Sequence, residues 1–272
     1  MLMKTSIIIA GLVWMTTQAI AQSPPRLRTP FVEGWDQVPP AKLAQQASDF
    51  PQSFFLEGPG ERKEIAFTFD DGPSADTAAL LDLLKKENVK ATFFWQGSQI
   101  EKFPELARRA YEEGHTLANH SYNHPRLIPL EGENQWWKQQ IEKTQNVYQN
   151  ILGFQPSMMR PPYGFISGSQ IQFLQQKKMY AILWSVDTAD WYHTHKNGFD
   201  EIAASKIVNV VQDYIHPEAI VLMHDSGGRG RKPTIMAVAQ LIPELKKQGY
   251  RFTTVDQLLN IPAQLKLVKT EK

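Results

Sequence analysis

The chain has 272 residues, with 29 Lys and Arg against 28 Asp and Glu, a formal net charge of +1 and no cysteine. A balance this even, with no basic block before the tail, argues against nucleic acid as the main partner. The lack of cysteine excludes disulfides and lipoprotein attachment, so stability must come from the core.

The chain opens with Lys4, an apolar stretch over residues 7–15, polar Thr16-Thr17-Gln18 and then Ala19-Ile20-Ala21. This is the order of a signal peptide with an A-x-A cleavage site, too short to span a bilayer comfortably. The pattern predicts a signal peptide over 1–21, cut between Ala21 and Gln22, and hence an exported protein, periplasmic or secreted; an uncleaved anchor is the alternative. What remains, roughly 250 residues, fits one large α/β domain or two small ones. Residues 22–50 are rich in Pro, Gln and Ala, with Pro24-Pro25 and Pro39-Pro40, so 22–60 are predicted as an extended arm lying on a domain over 61–262.

From residue 64 short apolar runs alternate with helix-like stretches. Strand 65–69 leads to helix 75–87, with Leu80, Leu81, Leu83 and Leu84 inward, and strand 91–95 leads to helix 104–113. Strand 116–119 is followed by a long helix within 132–152, strand 157–160 and helix 169–177. Strand 181–186, helix 199–214, strand 219–224, helix 234–248 and a last strand 250–255 complete about seven units. The strands are continuously apolar rather than alternating, as expected when both faces are covered in a parallel sheet or barrel. No later segment is long and apolar enough to cross a membrane. The polar, basic end of the chain, 263–272, is expected to fray.

In a barrel of this kind, side chains at the C-terminal strand ends face the active-site mouth. Five ends carry chemistry: Asp70-Asp71 in FTFDDGPS, Asn119-His120 in NHSYNHP, Arg160 in RPPYG, Asp187 and Asp190 in DTADW, and His224-Asp225 in IVLMHD. Adjacent carboxylates repel, and burying either one unpaired is costly. Asp-Gly alone reads as a solvated turn. The spacing of His120 and His124, however, places two imidazoles within one helical turn. With one acid of the pair they make two histidines and a carboxylate with room for water, the layout of a catalytic zinc. The other acid is then free to act as base, and Gly72 lets the chain turn so that both face the mouth. Trp136 and Trp137, on a helix, are not expected both to face inward, so one is a candidate sugar platform beside the packing reading. His193 and His195 are placed on a loop rim, and His115 and His216 receive no role.

Together the segments Thr68 to Gly72, His120 to His124, Arg160 to Tyr163, Asp187 to Trp191 and Val221 to His224 resemble, in order, the five motifs of the polysaccharide deacetylase domain. That domain is related to the nodulation chitooligosaccharide deacetylases, carbohydrate esterase family four. The resemblance covers about residues 64 to 258. It implies a distorted (β/α)7 barrel as a single catalytic domain and one divalent metal ion, zinc first, with cobalt, nickel or manganese possible. By the same resemblance Asp70 is the general base, and Asp71, His120 and His124 are the metal ligands. Arg160 orients Asp70, the Tyr163 N–H assists the oxyanion, and Trp191 and Leu222 line the acetyl pocket. His224 is the general acid, with Asp190 as its partner. Physically, Pro161 biases Arg160 toward an extended backbone, and a carboxylate beside His224 favours its cationic form. Each also has a bland alternative: a structural salt bridge for Arg160, a satisfied strand-end histidine for His224, ordinary core for Trp191. The implied reaction is hydrolysis of N-acetyl groups on a GlcNAc-containing polysaccharide by a monomer, peptidoglycan first, chitin oligosaccharides second, acetylxylan esters third. A glycan-binding pseudoenzyme and a metal-dependent phosphoesterase are the other classes.

Overall fold

The computed structural model describes residues 37–128, 130, 132–196 and 200–266. The predicted signal peptide, residues 22–36 of the predicted arm and residues 267–272 of the tail lie outside these.

Nine strands form one sheet: β1 (Phe54–Phe55), β2 (Glu64–Asp70), β3 (Thr92–Trp95), β4 (Thr116–Asn119), β5 (Met158–Met159), β6 (Tyr180–Ile182), β7 (Val186–Asp187), β8 (Ala219–His224) and β9 (Arg251–Phe252). Their order is β1-β6-β5-β4-β3-β2-β8-β7, with β9 beside β2, and all these pairings are parallel. The predicted strand 181–186 is broken at Leu183–Ser185, and the break curls the sheet. Ile182 pairs with Phe55 at one end of the sheet, whereas Val186 pairs with Val221 at the other. Three residues, 183–185, thus join strands that lie toward opposite ends of the sheet order. The result is a curled half-barrel of parallel strands surrounded by helices, in a single domain.

Residues alternate faces along a strand, and β2 shows what that does here. Ile65, Phe67 and Phe69 pack outward in the main core, with Leu80, Leu81 and Leu84 of α2 (Thr77–Lys86) and Leu241, Ile242 and Leu245 of a C-terminal helix, Lys232–Lys247. Ala66 packs inward with Phe94, Ala118, Met158, Ile182 and Ile220, where Val255 and Leu258 join them. Thr68 and Asp70 continue that inner row, and so bring a carboxylate to the inside of the barrel end.

Five expectations need correction. Within the arm predicted as extended, Pro40–Asp49 form a helix, α1, started by Pro40 and packed through Leu43, and β1 joins the sheet. Residues 134–152 are helical as predicted, but Asn134–Glu142 are a π-helix ahead of an α-helix, Lys143–Leu152. Both Trp136 and Trp137 are buried, at 6% and 5% exposure, each against Phe173. Covered on two sides, the helix needs no outward tryptophan, and neither ring is free to be a sugar platform. Residues 263–265, expected within the fraying tail, are held instead: the Ala263 carbonyl accepts from the Ser157 N–H, and the Leu265 N–H donates to the Gln155 carbonyl. Finally, His193 and His195 sit on a helix, Asp190–Lys196, rather than on a loop.

Candidate active site

The sequence-predicted residues converge on one cavity of about 320 Å³ at the C-terminal ends of the strands. Asp70, Asp71, His120, His124, Tyr163, Trp191, Leu222 and His224 all line it. Arg160 lies directly beneath, fully buried, with its donors divided among four acceptors. Nη1 donates to Asp70 Oδ1 at 2.6 Å and to Thr68 Oγ1 at 2.8 Å, Nε donates to the Ile182 carbonyl, and Nη2 donates to the Leu183 carbonyl. The guanidinium also lies 4.0 Å from the centre of the Phe94 ring. Burial raises the Asp70 pKa to about 6 even against the opposing charge of Arg160.

Asp71 sits in a different environment. Burial pushes its pKa up, but the charges of His124, His224 and His120 outweigh this, and Gln96 Nε2 donates to its Oδ1 at 3.0 Å, so the net shift is downward. Its Oδ1 lies 3.4 Å from His124 Nε2 and 3.6 Å from His120 Nε2. Burial holds both histidines at a pKa of about 4. His120 Nδ1 is 2.8 Å from the Arg160 carbonyl, which fixes that nitrogen as the protonated one and leaves Nε2 as a lone pair. Above about pH 4, then, an anionic carboxylate faces two neutral imidazoles. One carboxylate oxygen and two nitrogens within 4.8 Å of one another form a donor set that fits a divalent cation.

Two details of this centre differ from expectation. The H-x-x-x-H pair is not on a helix: Ser121 and His124 take positive φ of 65° and 62°, and the His124 N–H donates to Ser121 Oγ. Nor does Gly72 supply the left-handed turn; Asp71 itself does, at φ 76°. Gly72 is required for space. A Cβ there would collide with the carboxylate oxygens of Asp225 and lie 2.5 Å from Trp95 Nε1.

His224 stands beside Asp70 in register on the neighbouring strand. Its Nδ1 is 2.7 Å from Asp190 Oδ1, and its backbone N–H donates to Asp190 Oδ2 at 2.9 Å. Burial alone would lower the imidazole pKa, but the charge and hydrogen bond of Asp190 raise it to about 9. Asp190 is itself fully buried and held near 2, burial being outweighed by His224 and Arg231. Trp191 lines the cavity with its Nε1 donating to Asp187 Oδ1 at 3.3 Å. Tyr163 follows Pro161-Pro162 and takes φ 60°, ψ 9°. Its backbone N–H has no hydrogen-bond partner among the described residues, and its ring packs edge-on against His124 with centroids 4.5 Å apart.

Sequence reasoning passed over several supporting residues. In the sequence Asp225 stands out only as His224's neighbour. It is buried, accepts from Thr77 Oγ1 at 2.6 Å, from Trp95 Nε1 and from the Gly72 N–H, and so fastens the turn that carries both aspartates. A second carboxylate after an apolar strand end was the available signal. Thr234 Oγ1 donates to Asp190 Oδ2 at 2.8 Å, and Arg231 Nη1 lies 3.7 Å from the same oxygen; both lie beyond the motif with nothing local to mark them. His115 is buried, its Nδ1 accepting from the Ala91 N–H, and His216 pairs with Glu57. Both lie outside the cavity lining.

A family model described as polysaccharide deacetylase matches residues 57–182. A peptidoglycan-N-acetylglucosamine deacetylase of Bacillus cereus is 35% identical over 215 residues, covering 79% of this chain and 74% of the relative. A peptidoglycan-N-acetylmuramic acid deacetylase of Bacillus subtilis is 36% identical over 204 residues, 75% of this chain but only 40% of that longer protein. The crystal structure of the Bc1960 peptidoglycan N-acetylglucosamine deacetylase superposes with a TM-score of 0.74 at 34% identity, covering 81% of this chain and all of that one. By the extent of these matches, the chain belongs to the polysaccharide deacetylase family, carbohydrate esterase family four.

Proposed function

We propose that this chain is an exported, monomeric, metal-dependent hydrolase that removes N-acetyl groups from GlcNAc units of a polysaccharide outside the cytoplasm, peptidoglycan first. The observation that carries this reading is the placement of a carboxylate, Asp70, and a cationic imidazole, His224, on adjacent strands beside the Asp71, His120 and His124 donor set. The peptidoglycan deacetylases among its relatives favour the polymer named.

Asp71, His120 and His124 would hold the ion, for which zinc suits a mixed imidazole and carboxylate set; once bound, it lowers the pKa of water toward about 7 and polarises a carbonyl. Asp70 accepts the proton of the attacking water, and Arg160 fixes its Oδ1 so that Oδ2 is left for that task. The Tyr163 N–H donates to the oxyanion formed at the acetyl carbonyl. Leu222 and Trp191 pack on the acetyl methyl. His224, kept protonated by Asp190, gives its proton to the amine nitrogen as the C–N bond breaks, releasing acetate and a free amino sugar. General acid and base help of this kind contributes roughly 10²–10⁴-fold.

The test is acetate release by the purified chain from peptidoglycan, chitooligosaccharides and acetylxylan, with metal analysis of the same sample. One ion per chain with acetate release from peptidoglycan is expected. Two ions with phosphate release would favour a phosphoesterase, and glycan binding without acetate release would mark a pseudoenzyme.

A further inference from the structure

The cavity has a wall that the family match, which begins at residue 57, does not reach. Gln37, Val38, Pro40 and Leu43 line it from the N-terminal side. Val38 and Leu43 are 8% and 3% exposed and belong to a cluster with Ile166 and Leu183, against which Trp184 packs. The segment is fastened from behind: Gln46 Nε2 donates to the Ile166 carbonyl at 2.7 Å, and β1 pairs with β6 two residues before Trp184. It also touches the loop that carries Tyr163. Gly164, at φ +75°, lies against both sides: a Cβ there would crowd Trp184 Cη2 at 3.1 Å and come into ordinary contact with Val38 Cγ2 at 3.6 Å. Val38, Trp184 and the Tyr163 loop therefore form one continuous apolar surface beside the candidate metal ligands. Tyr163, a residue 49% exposed, contributes its ring.

We propose that residues 37–43 are a specificity wall of this active site, with Val38 and Leu43 completing an apolar subsite for the ring face of the sugar next to the reacting acetamide. A pyranose presents C–H groups on its faces and hydroxyls at its rim, and only the faces gain from leaving water against aliphatic and aromatic side chains. The four residues of this wall that line the cavity, Gln37, Val38, Pro40 and Leu43, are uncharged, whereas Lys42 is exposed and outside the lining, so the wall recognises ring shape rather than an anionic substituent. The inference rests on the proposed deacetylase reading for the identity of its ligand.

The experiment compares the parent chain with Val38→Ser, which removes apolar contact, and Val38→Phe, which intrudes on the cavity. Binding of the GlcNAc tetramer is measured by calorimetry in an Asp70→Asn background. Turnover is measured on the tetramer and on an aryl acetate that fills only the acyl end. Val38→Ser should weaken tetramer binding and raise its KM by about fivefold to tenfold, several times the effect on the aryl acetate. Val38→Phe should weaken the tetramer by about tenfold or more. Tetramer affinity within twofold of the parent in both variants, or equal losses on both substrates, overturns the wall. A parent chain that does not bind the tetramer overturns it as well. If the tetramer binds and the variants weaken it but no acetate is released from any substrate, the wall stands and the deacetylase reading fails.

Discussion

Asp190→Asn isolates the electrostatic part of the proposed acid. The amide is nearly isosteric and can still accept from His224 Nδ1–H, so orientation is kept while the charge is removed. That charge and hydrogen bond hold the imidazole near pKa 9 against burial. Without them the value falls to the ordinary 6.5 or below, because burial and Arg231, whose Nη1 lies 3.7 Å from Asp190 Oδ2, both act downward. At pH 8 the protonated fraction then drops from about nine-tenths to about three-hundredths, roughly thirtyfold. The parent rate profile should be a bell. Its acid limb belongs to Asp70 at about 6, or lower once a cation sits beside it, and its alkaline limb to His224 at about 9. In the variant the alkaline limb moves down until the two limbs nearly meet, and the plateau collapses. The loss should be largest on acetamides, whose amine cannot leave without a proton, and smaller on aryl acetates, whose phenolate can. Both substrates are followed across pH 5–10 in Asp190→Asn and His224→Ala. Equal losses on amide and ester with an unmoved alkaline limb would refute the assignment of His224 as the acid.

His120→Ala should lose stoichiometric zinc while remaining folded, and chelation should abolish turnover of the parent; full activity after chelation would falsify the metal site. Asp70→Asn should keep its metal within a modest factor while activity falls by about two to four decades, and a variant that instead loses its ion would show the two aspartates' roles to be reversed or shared. Gly72→Ala should lower both metal affinity and thermal stability, by more than about 1 kcal/mol, because its Cβ overlaps the Asp225 carboxylate and Trp95; a variant with unchanged metal titration would mean the turn is not fastened from Asp225.

The regular elements were legible because their physics is local. Strands 116–119 and 219–224 fall where the apolar runs place them, and five polar clusters at strand ends bring their residues to one cavity. What the sequence withheld depends on tertiary contact. No local pattern announces that strand 181–186 must break to carry the sheet between its two edges. α1 forms where Pro and Gln suggested extension, because Leu43 joins an apolar cluster that includes Met159, Ile166, Ile171 and Leu183, residues remote in sequence. The same holds for backbone conformation. Nine described residues other than glycine take positive φ, five of them being Asp71, Ser121, His124, Tyr163 and Ala189, an arrangement that persists only where the surrounding structure over-determines it. All five lie within the motif segments, and residue type alone points to none of them.

The adjacent aspartates show how that backbone strain becomes chemistry. In a regular strand Asp70 and Asp71 would point to opposite faces, one into the barrel and one toward the helices. Asp70 keeps the strand's inward face and meets Arg160. Asp71, at φ 76°, leaves the alternation and returns to the same cavity. The next residue must be glycine because the Asp225 carboxylate that fastens the turn occupies the space of its Cβ. The two acids are then separated by environment rather than by distance. Burial raises Asp70 toward about 6, where a carboxylate can exchange a proton near neutrality. Asp71, facing the imidazoles and the Gln96 amide, is held down and stays anionic. A base has to take up a proton and a metal ligand has to give its own up, so the same pair of residue types suits both tasks only because the turn between them divides their surroundings.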